Sequence, residues 1–213
     1  ILDAIISLKK RFKNYRCTRF VYFSSSMIYG DFKKSSVNEN SIKNPKDAYG
    51  IMKLAGEIVT EGICKLNKLD YTIIRPSAVY GPKDMNRRVS QIFIENAIKG
   101  KKIIIQGKDE KLDFTYIDDL VQGSILAAIK VNGKNEIFNI TCGKGQSLLK
   151  FVQYLKSHFP KIKYIVKQRD KTKPSRGTLS INKAKKLLGY RPKFDLKKGL
   201  EAYSKFLLNN KIF

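Results

Sequence analysis

The chain of 213 residues has a single histidine, His158, and only three cysteines, Cys17, Cys64 and Cys142, scattered widely. An odd, dispersed set of thiols argues against a disulfide framework and fits reduced cysteines in a cytoplasmic protein. No zinc site built from His and Cys suggests itself, and His158 reads as a helix-face residue without catalytic duty. No uninterrupted apolar run approaches the length that crosses a bilayer, and no signal-peptide pattern opens the chain. Internal repeats and low-complexity linkers are absent as well. Acidic residues are scarce: 18 Asp and Glu face 43 Lys and Arg, a net charge of +25. From Lys150 to Phe213, 18 basic residues meet only Asp170, Asp195 and Glu201, a local balance of +15. Such a field favours anionic partners, whether nucleic acid, a membrane surface or a phosphorylated small molecule. Most of the excess is lysine spread singly along amphipathic stretches such as "INKAKKLLGY", which fits a solvated surface better than a nucleic-acid footprint.

Also missing is any G-x-G-x-x-G, the glycine-rich turn that normally opens a doubly wound nucleotide-binding sheet. "GKGQSL", residues 143–148, lacks the third glycine and a following acid, and reads as an ordinary strand-to-helix turn. What is present, at 42% hydrophobic residues, suffices for one domain, or one with a small appendage. Strands alternate with helices. "ILDAIISLKKRF" has helical spacing, "RFVYFSSS" is a short apolar run, and "AYGIMKLAGEIVTEGICKLN" is helical, with Ile51, Leu54, Ile58 and Ile63 expected toward a core. "DYTIIRPSAVYG" is a buried strand closed by Gly81-Pro82. This βαβ rhythm predicts a parallel sheet with helices on both faces. Further on come a helix at "RRVSQIFIENAIKG", strands at "KKIIIQG", "NEIFNIT" and "KIKYIVKQ", a helix that Ser147 caps, and two basic terminal helices.

In an open α/β sheet ligands sit beyond the carboxyl ends of the strands. The serines 24–26 fall at that rim, and Tyr49 and Lys53, one helical turn apart, share a face of the next helix. A free tyrosine, with a pKa of about 10, is a poor base at neutral pH. A nearby ammonium favours the phenolate, and a serine hydroxyl can hold a substrate oxygen. The three together can take a proton from an alcohol while hydride leaves its carbon. Asp118 and Asp119 read as helix N-terminal carboxylates rather than a paired acid/base site.

"SSSMIYG", "YGIMK", "IIRPSAVYGP" and "LDFTYIDDLVQG", in that order, resemble the extended short-chain dehydrogenase/reductase family. More narrowly, they resemble its NAD-dependent nucleotide-sugar epimerase/dehydratase branch, over nearly the whole chain. The resemblance implies an α/β, Rossmann-like, doubly wound parallel sheet whose N-terminal part is missing, with a small C-terminal α/β substrate lobe. Residues 1–82 would be the remainder of the NAD-binding domain and 83–213 mainly the lobe, some segments returning to the sheet. Tyr49 would be the catalytic acid/base, and Lys53 would hold the nicotinamide ribose and lower the tyrosine's pKa. Ser25 would be the active-site serine, with Ser24 and Pro76 bordering the cofactor. Ser25, Ser26, Met27, Arg87 and Arg176 would meet the substrate, Arg176 gripping the nucleotide diphosphate with its guanidinium fork. NAD is the implied cofactor, NADP remaining open, and a nucleotide-diphosphate sugar the implied partner. A homodimer through the Tyr-Lys helix is implied too.

The departures shape the expected activity. Ser26 and Met27 stand where dehydratases carry an Asp-Glu pair, which argues against dehydration. Ala78 replaces an asparagine common in epimerases, and Leu112 a common arginine; Arg87 or Arg88 could compensate. The reading is thus a UDP-glucose 4-epimerase-like enzyme. An NAD(P)H-dependent nucleotide-sugar or ketone reductase uses the same triad, and a non-catalytic basic binding fragment is the third possibility.

Overall fold

The computed structural model describes residues 1–12, 14, 15, 17–84 and 87–210. Helix α1 (Leu2–Arg11) and strand β1 (Arg19–Phe23) lead into a 3₁₀ turn (Ser26–Tyr29), β2 (Ser36–Val37) and the long helix α2 (Ala48–Leu66). Then follow β3 (Asp70–Arg75), β4 (Val79–Tyr80), α3 (Val89–Ile98), β5 (Ile103–Gln106), β6 (Lys111–Asp113), β7 (Thr115–Tyr116) and α4 (Ile117–Ile129). The chain ends with β8 (Glu136–Asn139), β9 (Gly145–Ser147), α5 (Leu148–His158), β10 (Tyr164–Lys167), β11 (Thr178–Leu179), α6 (Asn182–Leu188) and α7 (Leu196–Asn209).

The main sheet is parallel, in the order β1-β3-β8, with Phe23 opposite Ile74 and Arg75 opposite Asn139. Parallel strands need crossovers, and here helices supply them on both faces. Cys64 of α2 packs with Leu69, Tyr71 and Ile73 on one side, beside Leu2 and Ile5 of α1. On the other, Leu120 and Ala127 of α4 and Ala184 and Leu188 of α6 cover Ile74 and Phe138. β3 is therefore enclosed from both sides, which explains why "YTIIR" carries no alternating polar face. A second apolar cluster joins Phe93 and Ile94 of α3, Ile103 and Ile105 of β5, Phe151 and Leu155 of α5, and Leu200 and Tyr203 of α7. This is the doubly wound α/β architecture expected from the strand–helix rhythm.

Caps fix the helix starts. Asp47 accepts from the Gly50 amide at 2.7 Å, Ser147 from Lys150 at 3.1 Å, and Asp195 from Lys198 at 2.9 Å. Each satisfies an amide that the first helical turn leaves unpaired. Asp113 is a clamp of another kind. Fully buried at the end of β6, it accepts from Thr141 Oγ1 and the Gly143 amide at 3.1 Å and from the Leu179 amide at 3.0 Å. Burial pushes its carboxyl up to about 6, outweighing the donated bonds.

Three expectations change. Ile51 and Ile58 do not face the core: they are exposed, while α2 buries Gly50, Glu57, Thr60 and Cys64, with Leu54 and Ile63 half-buried. At Gly50 and Gly56 the inner face approaches its neighbours too closely for any side chain. Residues 145–147 are not a turn but a strand paired antiparallel with β6, running straight into α5. Asp119 sits in the first turn of α4 but is buried, and its carboxylate accepts from the Lys193 and Phe194 amides at 2.7 and 2.9 Å. It anchors the entry to α7 rather than only complementing the dipole of α4.

Candidate functional site

β1 and β3 end side by side, and the segments leaving them stay paired. The Ser24 amide donates to the Ile74 carbonyl at 2.8 Å and the Ser26 amide to the Pro76 carbonyl at 2.9 Å. Serines and proline are thus set at the carboxyl rim, where an α/β sheet places its ligands. Ser25 caps the 3₁₀ turn, its Oγ accepting from the Met27 amide at 3.2 Å. The Ser24 hydroxyl is buried and has no hydrogen-bond partner.

The start of α2 is pressed against this turn. A Cβ on Gly50 would lie 2.8 Å from the Met27 carbonyl oxygen and 2.9 Å from Pro45, so only glycine allows the approach. Tyr49 just before it is half-exposed, at 48%. Lys53 reaches back to donate from Nζ to the Phe23 carbonyl at 2.7 Å, which puts the ammonium 5.7 Å from the centre of the Tyr49 ring. Tyr22 supports it from below, its ring 5.4 Å from the same nitrogen and its hydroxyl donating to the Lys53 carbonyl at 3.4 Å. Such cation–ring distances are attractive.

Ser25, Ser26, Met27, Tyr49 and Pro76 line one cavity of about 610 Å³, together with Ala78, Arg87, Arg88, Lys173 and Arg176. Four described lining residues are cationic and none is a carboxylate. The Arg176 Nε is buried without a hydrogen-bond partner. Burial pulls its guanidinium down to about 10, although Glu110 and Asp47 act in the opposite direction. A smaller recess of about 140 Å³ shares Arg176, Lys173, Leu112 and Phe93 with the cavity and adds Leu148 and the Arg169–Glu110 ion pair at 2.7 Å.

The structure therefore brings the substrate-side candidates Ser25, Ser26, Met27, Arg87 and Arg176 to one cavity with Tyr49 and Pro76. Lys53 and Ser24 are not among the residues that line it. Ala78 sits at φ 38°, a left-handed conformation in which asparagine is more at home than alanine. Sequence reasoning missed Lys173 and Gln106, which also line the cavity. The signal for Lys173 was its place in "KTKPSRG", three residues before Arg176; Gln106 gave none, because only folding brings β5 there.

A family model described as NAD dependent epimerase/dehydratase matches residues 3–141. The chain belongs to that family. It is 31% identical over 202 residues to an uncharacterised UDP-glucose epimerase of Bacillus subtilis, covering 93% of this chain and 63% of that one. Among solved structures it superposes on the UDP-glucose 4-epimerase of Thermotoga maritima with UDP-glucose. The TM-score is 0.88 at 29% identity, over 99% of this chain and 67% of that one. The UDP-glucuronic acid 4-epimerase of Bacillus cereus, in complex with UDP-glucuronic acid and NAD, gives 0.86 at 27% identity, over 100% and 68%. The chain spans between 62% and 68% of the length of the curated relatives it matches along nearly its whole extent.

Proposed function

We propose that this chain carries the proton-transfer and substrate-holding residues of an NAD-dependent nucleotide-sugar 4-epimerase. The observation that carries the proposal is the shared wall: Ser25 and Tyr49 open onto the same cavity as an unpartnered, half-buried Arg176. A hydroxyl-activating pair and an anion grip in one space suit a sugar joined to a diphosphate. The relatives whose structures hold UDP-sugars or NAD support the same assignment.

The residues present fit the nicotinamide-ribose half of NAD. The buried Ser24 hydroxyl lacks a partner, Lys53 offers an ammonium at the end of β1, and Pro76 borders the rim. When bound, NAD supplies an acceptor for the hydride and later gives it back. Tyr49 takes the proton of the sugar hydroxyl, and the Lys53 ammonium offsets charge on the phenolic oxygen. Ser25 holds the same oxygen through a hydrogen bond. Arg176, with Lys173 and Arg87, anchors the diphosphate so that the 4-keto sugar can turn over without leaving. Tyr49 then returns the proton to the same oxygen as the hydride is given back to the opposite face of C4, and no net oxidation results. No carboxylate stands beside Ser25 at the Ser26 and Met27 positions, so the pair that would remove water from the sugar is lacking.

In this proposal residues 1–82 belong to the dinucleotide domain and 83–213 mainly to the substrate lobe, with β8 returning to the sheet. A homodimer forms through the outer face of α2, where Ile51, Met52, Ile58, Val59 and Leu66 are exposed. No helix among the described residues is long and apolar enough to cross a membrane. The three free cysteines support a reducing compartment such as the cytoplasm.

The test is conversion of UDP-glucose or UDP-glucuronate by the full-length protein with NAD. The account expects the C4 epimer without net NADH. Net consumption of NADPH would instead mark one-way reduction. Salt-sensitive RNA binding without NAD binding would mark a basic binding module.

A further inference from the structure

Helix α2 carries a buried carboxylate, Glu57, one turn beyond Lys53 and two beyond Tyr49. Its partner is Arg75, the last residue of β3 and the neighbour of Pro76. The guanidinium is fully buried and Glu57 nearly so. Arg75 donates from Nε to Glu57 Oε1 at 2.9 Å and from Nη2 to Oε2 at 2.7 Å. Its Nη1 donates to the Tyr29 hydroxyl and to the Glu39 carbonyl, each at 2.9 Å. Tyr29 passes the chain on, donating to Asn139 Oδ1 at 2.8 Å, and the Asn139 backbone N–H donates to the Glu39 carboxylate at 2.8 Å.

Ionic groups are a poor way to fill a core, because hydrocarbon of the same volume avoids their desolvation. What a two-pronged guanidinium–carboxylate contact supplies is direction: it fixes distance and angle together, where an apolar contact lets a helix slide or roll. Burial tends to discharge Arg75, but bonds from Glu57 and Tyr29 outweigh it and its pKa is raised, so the charge stays. Burial also pushes the Tyr29 phenol up to about 12, which keeps its hydroxyl a donor near neutrality.

The partners of this one side chain are the elements that must agree for proton transfer. The turn containing Tyr29 begins right after Ser25; α2 bears Tyr49 and Lys53; Arg75 itself precedes Pro76. We propose that Arg75 and Glu57, with Tyr29 as the bridge, are positioning residues that hold Ser25 and Tyr49 in register across the cavity. The proposal rests on the catalytic reading above.

The experiment compares the full-length protein with the double variant Glu57→Met, Arg75→Met, which removes both charges and leaves apolar bulk. A misplacement of a reacting group by about 1 Å can cost roughly 100-fold in rate, so kcat should fall by about 30-fold or more, with KM for the nucleotide sugar within about 3-fold. A folded double variant with wild-type kcat overturns the proposal. Should the double variant fail to fold, Tyr29→Phe decides, since it keeps the ion pair and deletes only the bridging hydroxyl. The expected result there is about a 10-fold loss in kcat, again at constant KM. In a Tyr49→Phe background the same change should cost nothing further, whereas a general loss of folded protein would lower both backgrounds alike. Unchanged kcat for Tyr29→Phe, or an equal loss in both backgrounds, overturns the proposal. A full-length wild type that converts no nucleotide sugar overturns the catalytic reading and the proposal with it; an active wild type matched by its folded variants overturns the positioning role alone.

Discussion

Helices α2 and α7 are built on opposite plans. α7 buries Leu196, Leu200, Tyr203 and Leu207 and turns Lys197, Lys198, Glu201 and Lys205 to the surface. α2 buries Gly50, Glu57, Thr60 and Cys64 and leaves Ile51, Met52, Ile58, Val59 and Leu66 outside. The first is held by area removed from water. The second is held by directed bonds and by close approach: Asp47 at its cap, Glu57 to Arg75, and Gly56, where a Cβ would collide with the Tyr22 ring. The helix that brings Tyr49 to the cavity is fixed largely by geometry, and much of its apolar surface, Ile51, Met52, Ile58, Val59 and Leu66, faces outward.

The largest effect that separates the two plans is a truncation in each. Leu200→Ala, in the fully buried face of α7, should cost about 2–5 kcal/mol in urea unfolding. Ile58→Ala, on the exposed face of α2, should stay within about 0.5 kcal/mol in the monomer. Equal costs would erase the contrast.

A smaller effect distinguishes buried polar groups from buried apolar ones. Asp113 has its pKa raised from 3.8 to about 6, so the native state holds this proton more tightly than the unfolded chain. Its contribution is whole below about pH 4 and fades as pH rises through 6. Measured against Asp113→Asn, which does not titrate, the wild type should lose on the order of 2–3 kcal/mol of relative stability between pH 4 and 7. Leu200→Ala should show no such pH-dependent difference from wild type. A flat profile for both would show that the donors from Thr141, Gly143 and Leu179 hold Asp113 ionised throughout.

The smallest effect on stability comes from Ile58→Asp, a surface change of about 0.5 kcal/mol or less. In sedimentation the wild type should run as a dimer and this variant as a monomer. An unchanged dimer would place the interface elsewhere.

The same contrast explains what could be read without coordinates. α7 and α5 follow the apolar period, so their existence, caps and buried faces all come through in "LKKGLEAYSKFLL" and "SLLKFVQYLKSHF". α2 is recognisable as a helix, yet its orientation comes out reversed for Ile51 and Ile58, because periodicity counts hydrophobes and cannot weigh a glycine's close approach or a paired Glu57. Ser25, Tyr49 and Pro76, singled out by ordered motifs, and Arg176, from the segment "KPSRG", do come to line one cavity. Lys173, Gln106 and the Arg75 network were not singled out, since each acquires its partners only when separate segments meet. A lone arginine ending the apolar run "YTIIR" was the one visible hint of that network.

The most direct measurement is the turnover of full-length Tyr49→Phe beside wild type, with NAD and a UDP-hexose. Removing a general acid/base should lower kcat by about 100- to 10,000-fold, with KM little changed and the fold intact by circular dichroism. A folded Tyr49→Phe that interconverts the C4 epimers at the wild-type rate would contradict the account.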